Sequence, residues 1–174
     1  MRVILAYVVS KDGFLVGPHG EQSGSWASSE DQEHFKKLAR ECGVVIIGSN
    51  TYEVHKDIFS NDGMRRIVMT RHPEKYTSEK RKEFEFTSLT PFDVIEQLKS
   101  EGREKVLIAG GPALYREFLK TELVGELQET VEPLLIGDGL SAARGVPSNA
   151  RLELVDTKQL NTRGTLLHTY RVVY

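Results

Sequence analysis

The chain has 174 residues, of which 39% are apolar and 28% are charged, with a formal net charge of −2 and a single cysteine. This size and composition predict one globular domain over residues 1–174. The nearly neutral charge argues against nucleic acid as the main partner, no apolar run is long enough to cross a membrane, and the lone Cys42 favours a reducing cytoplasm.

A strand and a glycine-rich segment open the chain. Residues 3–9 are rich in β-branched side chains, which predicts a buried strand. SKDGFLVGPHGEQSGSW, residues 10–26, predicts a long loop of the kind that forms lids and binding sites. A helix is expected next, with Ser28 or Ser29 as its N-cap and Asp31 or Gln32 completing a capping box.

Asp31 lies on the apolar stripe of this helix. At about 100° per residue it falls in line with Phe35, Leu38 and Cys42. A carboxylate in the first turn is stabilised by the helix dipole, so a structural cap is one interpretation. Burial without a partner costs on the order of several kcal/mol, and Glu30 is available as a cap, so the favoured interpretation is that Asp31 anchors a substrate with N–H donors.

Strands and helices alternate through the middle of the chain. GVVIIGS, RRIVMTR, KEFEFTS and KVLIAGG predict strands, whereas NTYEVHKDIF, TPFDVIEQLKSEG (capped by Thr90 and ended by Gly102) and PALYREFLK predict helices. ELQETVEPLLIG, LELVDTKQL and TLLHTYRVVY predict further strands, the last two as an antiparallel hairpin. This order predicts an α/β fold, with a mostly parallel mixed sheet, an antiparallel C-terminal hairpin and flanking helices.

Three strand ends carry residues suited to phosphate groups. Two are glycine junctions that open helices, where free N–H groups and the helix dipole attract anions; they comprise Gly48, Ser49, Asn50 and Thr51, and Gly110, Gly111 and Pro112. At the third, Thr70 and Arg71, a guanidinium can hold a phosphate in two hydrogen bonds. Taken singly, each is most simply a tight turn or a solvated charge. Together on one sheet edge they suit a dinucleotide with an additional phosphate, which favours NADPH over NADH.

The order of these motifs resembles dihydrofolate reductase. The pattern W-x4-D-x3-F, G-x-x-T-[WY], [ST]-[RS] and G-G-x-x-[LV]-Y occurs at Trp26, Asp31, Phe35, Gly48, Thr51, Tyr52, Thr70, Arg71, Gly110, Gly111, Leu114 and Tyr115. SKDGFLVG, SSEDQEHF and TVEPLLIGDG are more similar to a sister family, the C-terminal reductase domain of the bifunctional deaminase–reductase of bacterial riboflavin biosynthesis and its stand-alone relatives. The likeness extends over almost the whole chain.

The resemblance implies a role for each matching position. Ala6 would offer backbone groups to the nicotinamide, the loop with Asp12, Gly13 and Gly17 would close over it, and Tyr115 would lie nearby. The two glycine junctions would hold the pyrophosphate, and Thr70 and Arg71 the ribose phosphate. Asp31 would grip the substrate and support its protonation. A homodimer is also implied.

Three neighbours of Asp31 have alternative interpretations. Trp26 is expected to anchor the loop and could line the pocket. His34 is expected at the surface, where it could touch substrate, and Phe35 is expected to be both core and pocket wall. The five histidines have no spacing that suggests a metal site.

These observations predict an NADPH-dependent reductase that transfers hydride to a C=N or C=O bond of a small heterocyclic or sugar-derived substrate, such as 5-amino-6-(5-phosphoribosylamino)uracil. SSEDQEHF replaces the arginine-rich segment usual in the riboflavin enzymes, so dihydrofolate reductase is an alternative, although the loop near Trp26 lacks the usual proline. A non-catalytic nucleotide-binding module is an alternative of another class. Such a module has no need for an acid at position 31.

Overall fold

In a computed structural model, residues 1–57, 59, 63–142, 144–146 and 149–174 are described. Their strands are β1 (Arg2–Ser10), β2 (Phe14–Val16), β3 (Val44–Gly48), β4 (Arg65–Met69), β5 (Phe84–Thr87), β6 (Lys105–Ile108), β7 (Glu126–Glu132), β8 (Leu140–Ser141), β9 (Arg151–Gln159) and β10 (Leu166–Val173). Their α-helices are α1 (Ser29–Cys42), α2 (Ser49–His55), α3 (Pro91–Ser100) and α4 (Pro112–Leu119), and short 3-10 helices form at Ser23–Ser25 and Pro73–Tyr76.

The main sheet has eight strands in the order β5-β4-β3-β6-β1-β7-β10-β9. Pairing is parallel from β5 to β7, and β10 and β9 add an antiparallel hairpin. β2 and β8 form a second, two-stranded antiparallel sheet. The predicted mixed sheet with an antiparallel C-terminal hairpin is confirmed.

Both faces of the parallel strands are buried, which explains their nearly continuous apolar sequences. On one face, β1, β3 and β6 pack against α3 and α4 through side chains such as Leu5, Ile46, Ile108, Ile95 and Phe118. On the other face, α1 and α2 cover side chains such as Ile4, Val45, Leu107, Leu38 and Tyr52. Helices on both faces leave the carboxyl ends of the strands as an open crest. Among the described helices, none has the length and apolar character that a membrane crossing requires.

The glycine-rich segment is more ordered than predicted. Instead of one long loop it contains β2, which pairs with β8, and a 3-10 helix before Trp26. The carboxylate of Asp12 accepts hydrogen bonds from the backbone N–H groups of Ile136 (3.2 Å) and Gly137 (2.7 Å). The partners of this segment are therefore more than 120 residues away in the chain, beyond the reach of a local sequence pattern.

Two further predictions need correction. β7 ends at Glu132 rather than continuing through LLIG, because Pro133 has no N–H to donate to a neighbouring strand. Phe35 is 36% exposed and is not part of the core, although its position on α1 is flanked by the buried Asp31 and Leu38. The ring of Phe35 is therefore partly accessible to solvent. The predicted helix NTYEVHKDIF is α2, and Ile58 at its end lies outside the described residues.

Candidate functional site

A crevice opens where β6 ends beside β1. β6 pairs with β1 only as far as Leu5, whereas β7 follows the other side of β1 from Ile4 to Ser10. Past Leu5 the backbone of β1 therefore has no strand on its β6 side within the described chain. Ala6 is the first residue of this open edge and is buried. A planar amide could pair with its backbone as another strand would.

The two glycine junctions meet across this crevice. Gly48 and Gly111 are the N-caps of α2 and α4, and neither helix has a side-chain cap, whereas Ser28 caps α1 and Thr90 caps α3. A Cβ atom at Gly110 would lie 3.4 Å from the backbone nitrogen of Gly48. In the described part of the chain, nothing lies within 4 Å of a Cβ built at Gly48 or Gly111. The uncapped helix starts thus border open space, as an anion cradle requires.

Tyr115 connects one junction to the open strand. Its hydroxyl accepts a hydrogen bond from the backbone N–H of Gly110 (3.2 Å) and lies 3.4 Å from the carbonyl oxygen of Ala6, to which it donates. Burial raises the pKa of Tyr115 above its ordinary value, so the phenol stays protonated at neutral pH. Tyr115 lies beneath the crest, where it fixes the distance between the two backbone segments.

The other residues at these strand ends differ in exposure. Ser49 and Thr51 of the first junction are half-buried and Asn50 is exposed, whereas Pro112 of the second junction is buried. Thr70 directly follows β4, and its hydroxyl accepts a hydrogen bond from the backbone N–H of His72 (3.2 Å).

Arg71 is available to an anionic ligand. β4 lies beside β3 with Met69 opposite Gly48, so Arg71 follows the strand end next to the first glycine junction. Its side chain is exposed and makes no ion pair with the described residues, whereas the neighbouring His72 pairs with Glu74 at 3.1 Å. An uncompensated guanidinium beside the cradle suits a phosphate.

Gly13 and Gly17 shape the loop that borders the crevice. The backbone N–H of Gly13 donates to the carbonyl of Ser10 at 2.9 Å, and Gly13 has a φ of 86°, which glycine adopts without strain. A Cβ atom at Gly17 would lie 2.3 Å from the carboxylate of Glu21, so a larger residue there would require the exposed Glu21 side chain to move. Trp26 is half-buried, and its indole N–H is buried without a partner among the described atoms.

Asp31 lies in a buried polar cluster at the start of α1. Its backbone N–H donates to Ser28 Oγ at 3.3 Å, and its carboxylate faces the hydroxyl of Thr130 on β7. Burial raises the pKa of Asp31, and the charge of Glu132 raises it further, while the hydroxyl of Thr130 and the charge of His34 oppose the increase. Asp31 can therefore hold a proton at a higher pH than an ordinary aspartate.

The residues around Asp31 were only partly predicted. His34 is half-buried and its Nε2 lies 2.8 Å from Oε1 of Gln128 on β7. Sequence reasoning missed Gln128, Thr130 and Glu132. Their polar side chains recur at every second position of β7, on the face toward α1, and that alternation could have pointed to a polar site. The described residues contain no group of His, Cys, Asp and Glu suited to a metal ion.

The structure thus brings two sets of predicted residues to one crest. Ala6, the glycine junctions and Arg71 line the carboxyl ends of β1, β3, β4 and β6, while Asp31 and His34 reach β7 from α1. The sheet order and the helices on its two faces form a dihydrofolate reductase-like fold. Dihydrofolate reductase from Enterococcus faecalis, solved in complex with NADP(H), matches with a TM-score of 0.69 at 14% identity over 98% of this chain and 96% of that chain.

The chain belongs to the RibD C-terminal domain family, whose sequence profile matches residues 1–166. A putative riboflavin biosynthesis protein from Shewanella sp. PV-4 is similar over 100% of both chains, with a TM-score of 0.79 and 20% identity. The diaminohydroxyphosphoribosylaminopyrimidine deaminase/5-amino-6-(5-phosphoribosylamino)uracil reductase from Thermotoga maritima matches at a TM-score of 0.76 and 15% identity, over 98% of this chain and 56% of that chain. The predicted fold and family are confirmed.

Proposed function

We propose that this protein is an NADPH-dependent reductase of the riboflavin-biosynthesis type. Its substrate would be a small heterocyclic or sugar-derived molecule with a C=N or C=O bond, of which 5-amino-6-(5-phosphoribosylamino)uracil is the model. The observation that carries the proposal is the carboxylate of Asp31, which is buried at the start of α1 although it forms no ion pair among the described residues. Such a group suits a ligand with N–H donors better than it suits a structural role.

The crest fits a phosphorylated dinucleotide. The uncapped starts of α2 and α4 would hold the pyrophosphate with Gly48, Ser49, Asn50 and Thr51, and with Gly110, Gly111 and Pro112. Thr70 and Arg71 would hold the third phosphate, which is the reason for preferring NADPH to NADH. Ala6 would present its backbone to the nicotinamide carboxamide, with Tyr115 below and Gly13 and Gly17 in the covering loop. When bound, NADPH supplies the hydride.

The chain's own chemistry is the placement of the substrate and of a proton. Reduction of a C=N bond adds a hydride to carbon and a proton to nitrogen, and the cofactor leaves as NADP⁺. Asp31 would hold the substrate by its N–H groups and deliver that proton, directly or through one water molecule. Its raised pKa supports this role because a catalytic acid must keep its proton near the working pH. Trp26, His34 and Phe35 would border the substrate.

Binding and turnover can be tested separately. Trp26 is the only tryptophan, so its fluorescence reports binding of NADPH and NADH, and loss of absorbance of the reduced nicotinamide reports turnover. We expect NADPH to bind more tightly and one member of a panel of aminopyrimidines and pterins to be reduced. Binding without turnover across the panel would instead favour the nucleotide-binding module. Absence of NADPH binding would refute the reductase.

Dihydrofolate is the second candidate substrate. The paired Asp31 carboxylate and Thr130 hydroxyl favour it, because an acid and a hydroxyl side by side can bind the amino and ring N–H groups of a pterin. Turnover of dihydrofolate, without turnover of the aminopyrimidine in the same panel, would decide for it.

We also propose that the protein acts as a homodimer in the cytoplasm, where its buried free thiol Cys42 stays reduced. The surface that supports a dimer is the face of the C-terminal hairpin turned away from α1. Cross-strand pairing places Arg151, Glu153, Asp156 and Lys158 of β9 on the α1 side, and Leu152, Leu154, Thr157 and Gln159 on the other. A bulge at Val155, between the pairs Asp156–Thr169 and Leu154–Tyr170, keeps these two sets apart.

This neutral face can meet a copy of itself. Leu152 and Leu154 are 48% and 59% exposed. Beside them, Thr157 Oγ1 lies 2.9 Å from Nδ1 of His168, and the half-buried Glu129 of β7 lies opposite His168. A two-fold interface sets like residues near one another, so the absence of charged residues from this side of β9 limits repulsion. Burial of the leucines would then stabilise the dimer.

A further inference from the structure

Five of the seven buried polar or charged residues in the described part of the chain converge on the first turn of α1; they are Ser28, Asp31, Thr130, Glu132 and Thr165. Two of them are carboxylates. The proposed function uses Asp31 and leaves Glu132, which is 3% exposed, without a task. Burying a second carboxylate beside the first costs stability unless its hydrogen bonds and charge are compensated.

Glu132 accepts the hydrogen bond from the Ser28 N–H that the side chain of Asp31 would otherwise accept. A helix with serine at the N-cap and an acid three residues later normally forms a capping box, in which the acid side chain accepts from the N-cap N–H. Ser28 and Asp31 occupy these positions, and Ser28 Oγ accepts from the backbone N–H of Asp31. The N–H of Ser28, however, donates to Oε1 of Glu132 at 2.8 Å. Glu132 therefore provides the reciprocal half of the capping box.

We propose that Glu132 is a positioning residue, which takes over the capping of α1 and thereby leaves the carboxylate of Asp31 facing the substrate. The inference rests on the proposed function and deepens it by adding a second acid to the site. Without Glu132, the Ser28 N–H would attract Asp31 back toward the helix end.

Glu132 is itself held from the far hairpin. Its Oε2 accepts from Thr165 Oγ1 at 2.7 Å, and Thr165 Oγ1 in turn accepts from Asn161 Nδ2 at 2.9 Å. The turn between β9 and β10 thus fixes the carboxylate that caps α1. Both oxygens of Glu132 have partners, so the side chain has one defined orientation.

Glu132 also sets the electrostatic surroundings of Asp31. The groups that face Asp31 are Thr130 and Glu132 from β7 and His34 from its own helix. Burial and the negative charge of Glu132 both favour the protonated form of Asp31, whereas Thr130 and His34 favour the ionised form. Neutralising Glu132 should therefore make Asp31 a stronger acid.

Two substitutions separate capping from charge. Glu132→Gln retains an oxygen that can accept the hydrogen bond from Ser28, so KM should stay within about twofold. Because the substitution removes the negative charge, the alkaline limb of the pH profile of kcat/KM should move to lower pH by roughly half a unit or more. Glu132→Ala removes both, so kcat/KM should fall at least about tenfold with the Kd for NADPH unchanged. Glu153→Gln, an exposed carboxylate on β9, is the control and should change neither.

The role of Glu132 can also be tested by a measurement that needs no enzymatic activity, so its failure can be distinguished from the failure of the proposed reductase function. Carbon-detected NMR of the Asp31 carboxyl should show a lower pKa in Glu132→Gln than in the wild type, and an unmoved pKa would overturn the proposal. Unchanged kcat/KM in Glu132→Ala would also overturn it. If Glu132→Ala does not fold, Thr165→Val is the alternative, because it removes one hydrogen bond to Glu132 and should also shift the pKa of Asp31. An unshifted pKa of Asp31 in both Glu132→Gln and Thr165→Val would refute the positioning role of Glu132. A wild type that turns over no substrate refutes the reductase alone.

Discussion

The carboxylate of Asp12 accepts a hydrogen bond of 2.7 Å from the backbone N–H of Gly137, 125 residues later in the chain. Ser10 Oγ and the N–H of Ile136 complete its set of donors. These bonds lower the pKa of Asp12 from 3.8 to about 2. The glycine-rich loop beside the crest is therefore tied to the segment that follows β7.

Asp12→Asn should loosen this loop without unfolding the protein. An amide is a weaker acceptor than a carboxylate, so hydrogen exchange at Ile136 and Gly137 should become at least several-fold faster. Because the folded-state pKa lies below the ordinary value, the stabilisation is present above about pH 4 and is lost as the pH falls toward 2. Asp138→Asn is the control, since Asp138 bonds only to the adjacent Gly139 N–H among the described residues. Equal hydrogen-exchange rates at Ile136 and Gly137 in the two variants would show that the Asp12 carboxylate does not hold the loop in place.

Asp31→Asn should spare the cofactor and abolish the reaction. The amide keeps the shape but cannot deliver a proton, so kcat should fall by about 10²–10⁴ while the fluorescence-derived Kd for NADPH stays constant. Glu33→Gln, on the exposed side of the same helix, is the matched control. Equal loss of binding and turnover would mark Asp31 as a structural cap.

The same substitution should raise thermal stability. The folded-state pKa of Asp31 is raised, so the folded protein loses stability as the pH rises through that value, where the unfolded chain ionises more easily. Removing the charge at pH 7 should therefore increase Tm by a few degrees. A calorimetric scan at pH 4 and pH 7 tests this, and a larger gain at pH 4 would contradict it.

Arg71→Ala should weaken NADPH much more than NADH. A charge-assisted pair with a phosphate contributes roughly 1.5–3 kcal/mol, so the Kd for NADPH should rise about 10- to 150-fold. Lys75→Ala removes another exposed charge from the segment after β4 and is the control. Similar weakening of the two coenzymes would refute the assignment of the phosphate.

Gly111→Ala should separate cofactor binding from folding. The described protein has no atom within 4 Å of the added Cβ, so Tm should change little. If a pyrophosphate lies against the start of α4, the methyl group would occupy its space, and the Kd for NADPH should rise at least about tenfold. Gly125→Ala, where the described protein also has no atom within 4 Å of the new Cβ, should leave the Kd unchanged. Normal NADPH binding by Gly111→Ala would exclude this cradle.

Leu154→Glu should convert a dimer to a monomer. Light scattering should give twice 19.6 kDa for the wild type and 19.6 kDa for the variant, because each two-fold contact would bury two unpaired carboxylates. Asp156→Lys changes the charge on the opposite face of β9 and should remain dimeric. A monomeric wild type, or a dimeric Leu154→Glu, would refute the neutral face as the interface.

Local sequence patterns predict most of the fold but only two of the five residues of the polar cluster. A serine cap of α1 at Ser28 or Ser29, Thr90 as the cap of α3 and the C-terminal hairpin depend on neighbours in sequence; the latter two are confirmed, and Ser28 is the serine that caps α1. The bond from Ser28 to Glu132 joins residues 104 positions apart, and no periodicity encodes it. Phe35 is exposed for a related reason: helical spacing predicts which residues share a face, but the position of the sheet decides how much of that face is covered.

The irregular pairing at Val155 makes the final hairpin tolerant of a change in length at this point. Deleting Val155 would restore regular alternation from Leu154 to Asp156 and leave the leucines and the ionic side chains on the sides they now occupy. Deleting Leu154 would have the same effect on the pairing, because Val155 would then take its place opposite Tyr170 and Glu153 would stay opposite Arg171. Insertions and deletions among relatives of this chain should therefore concentrate at positions 154 and 155 of the strand.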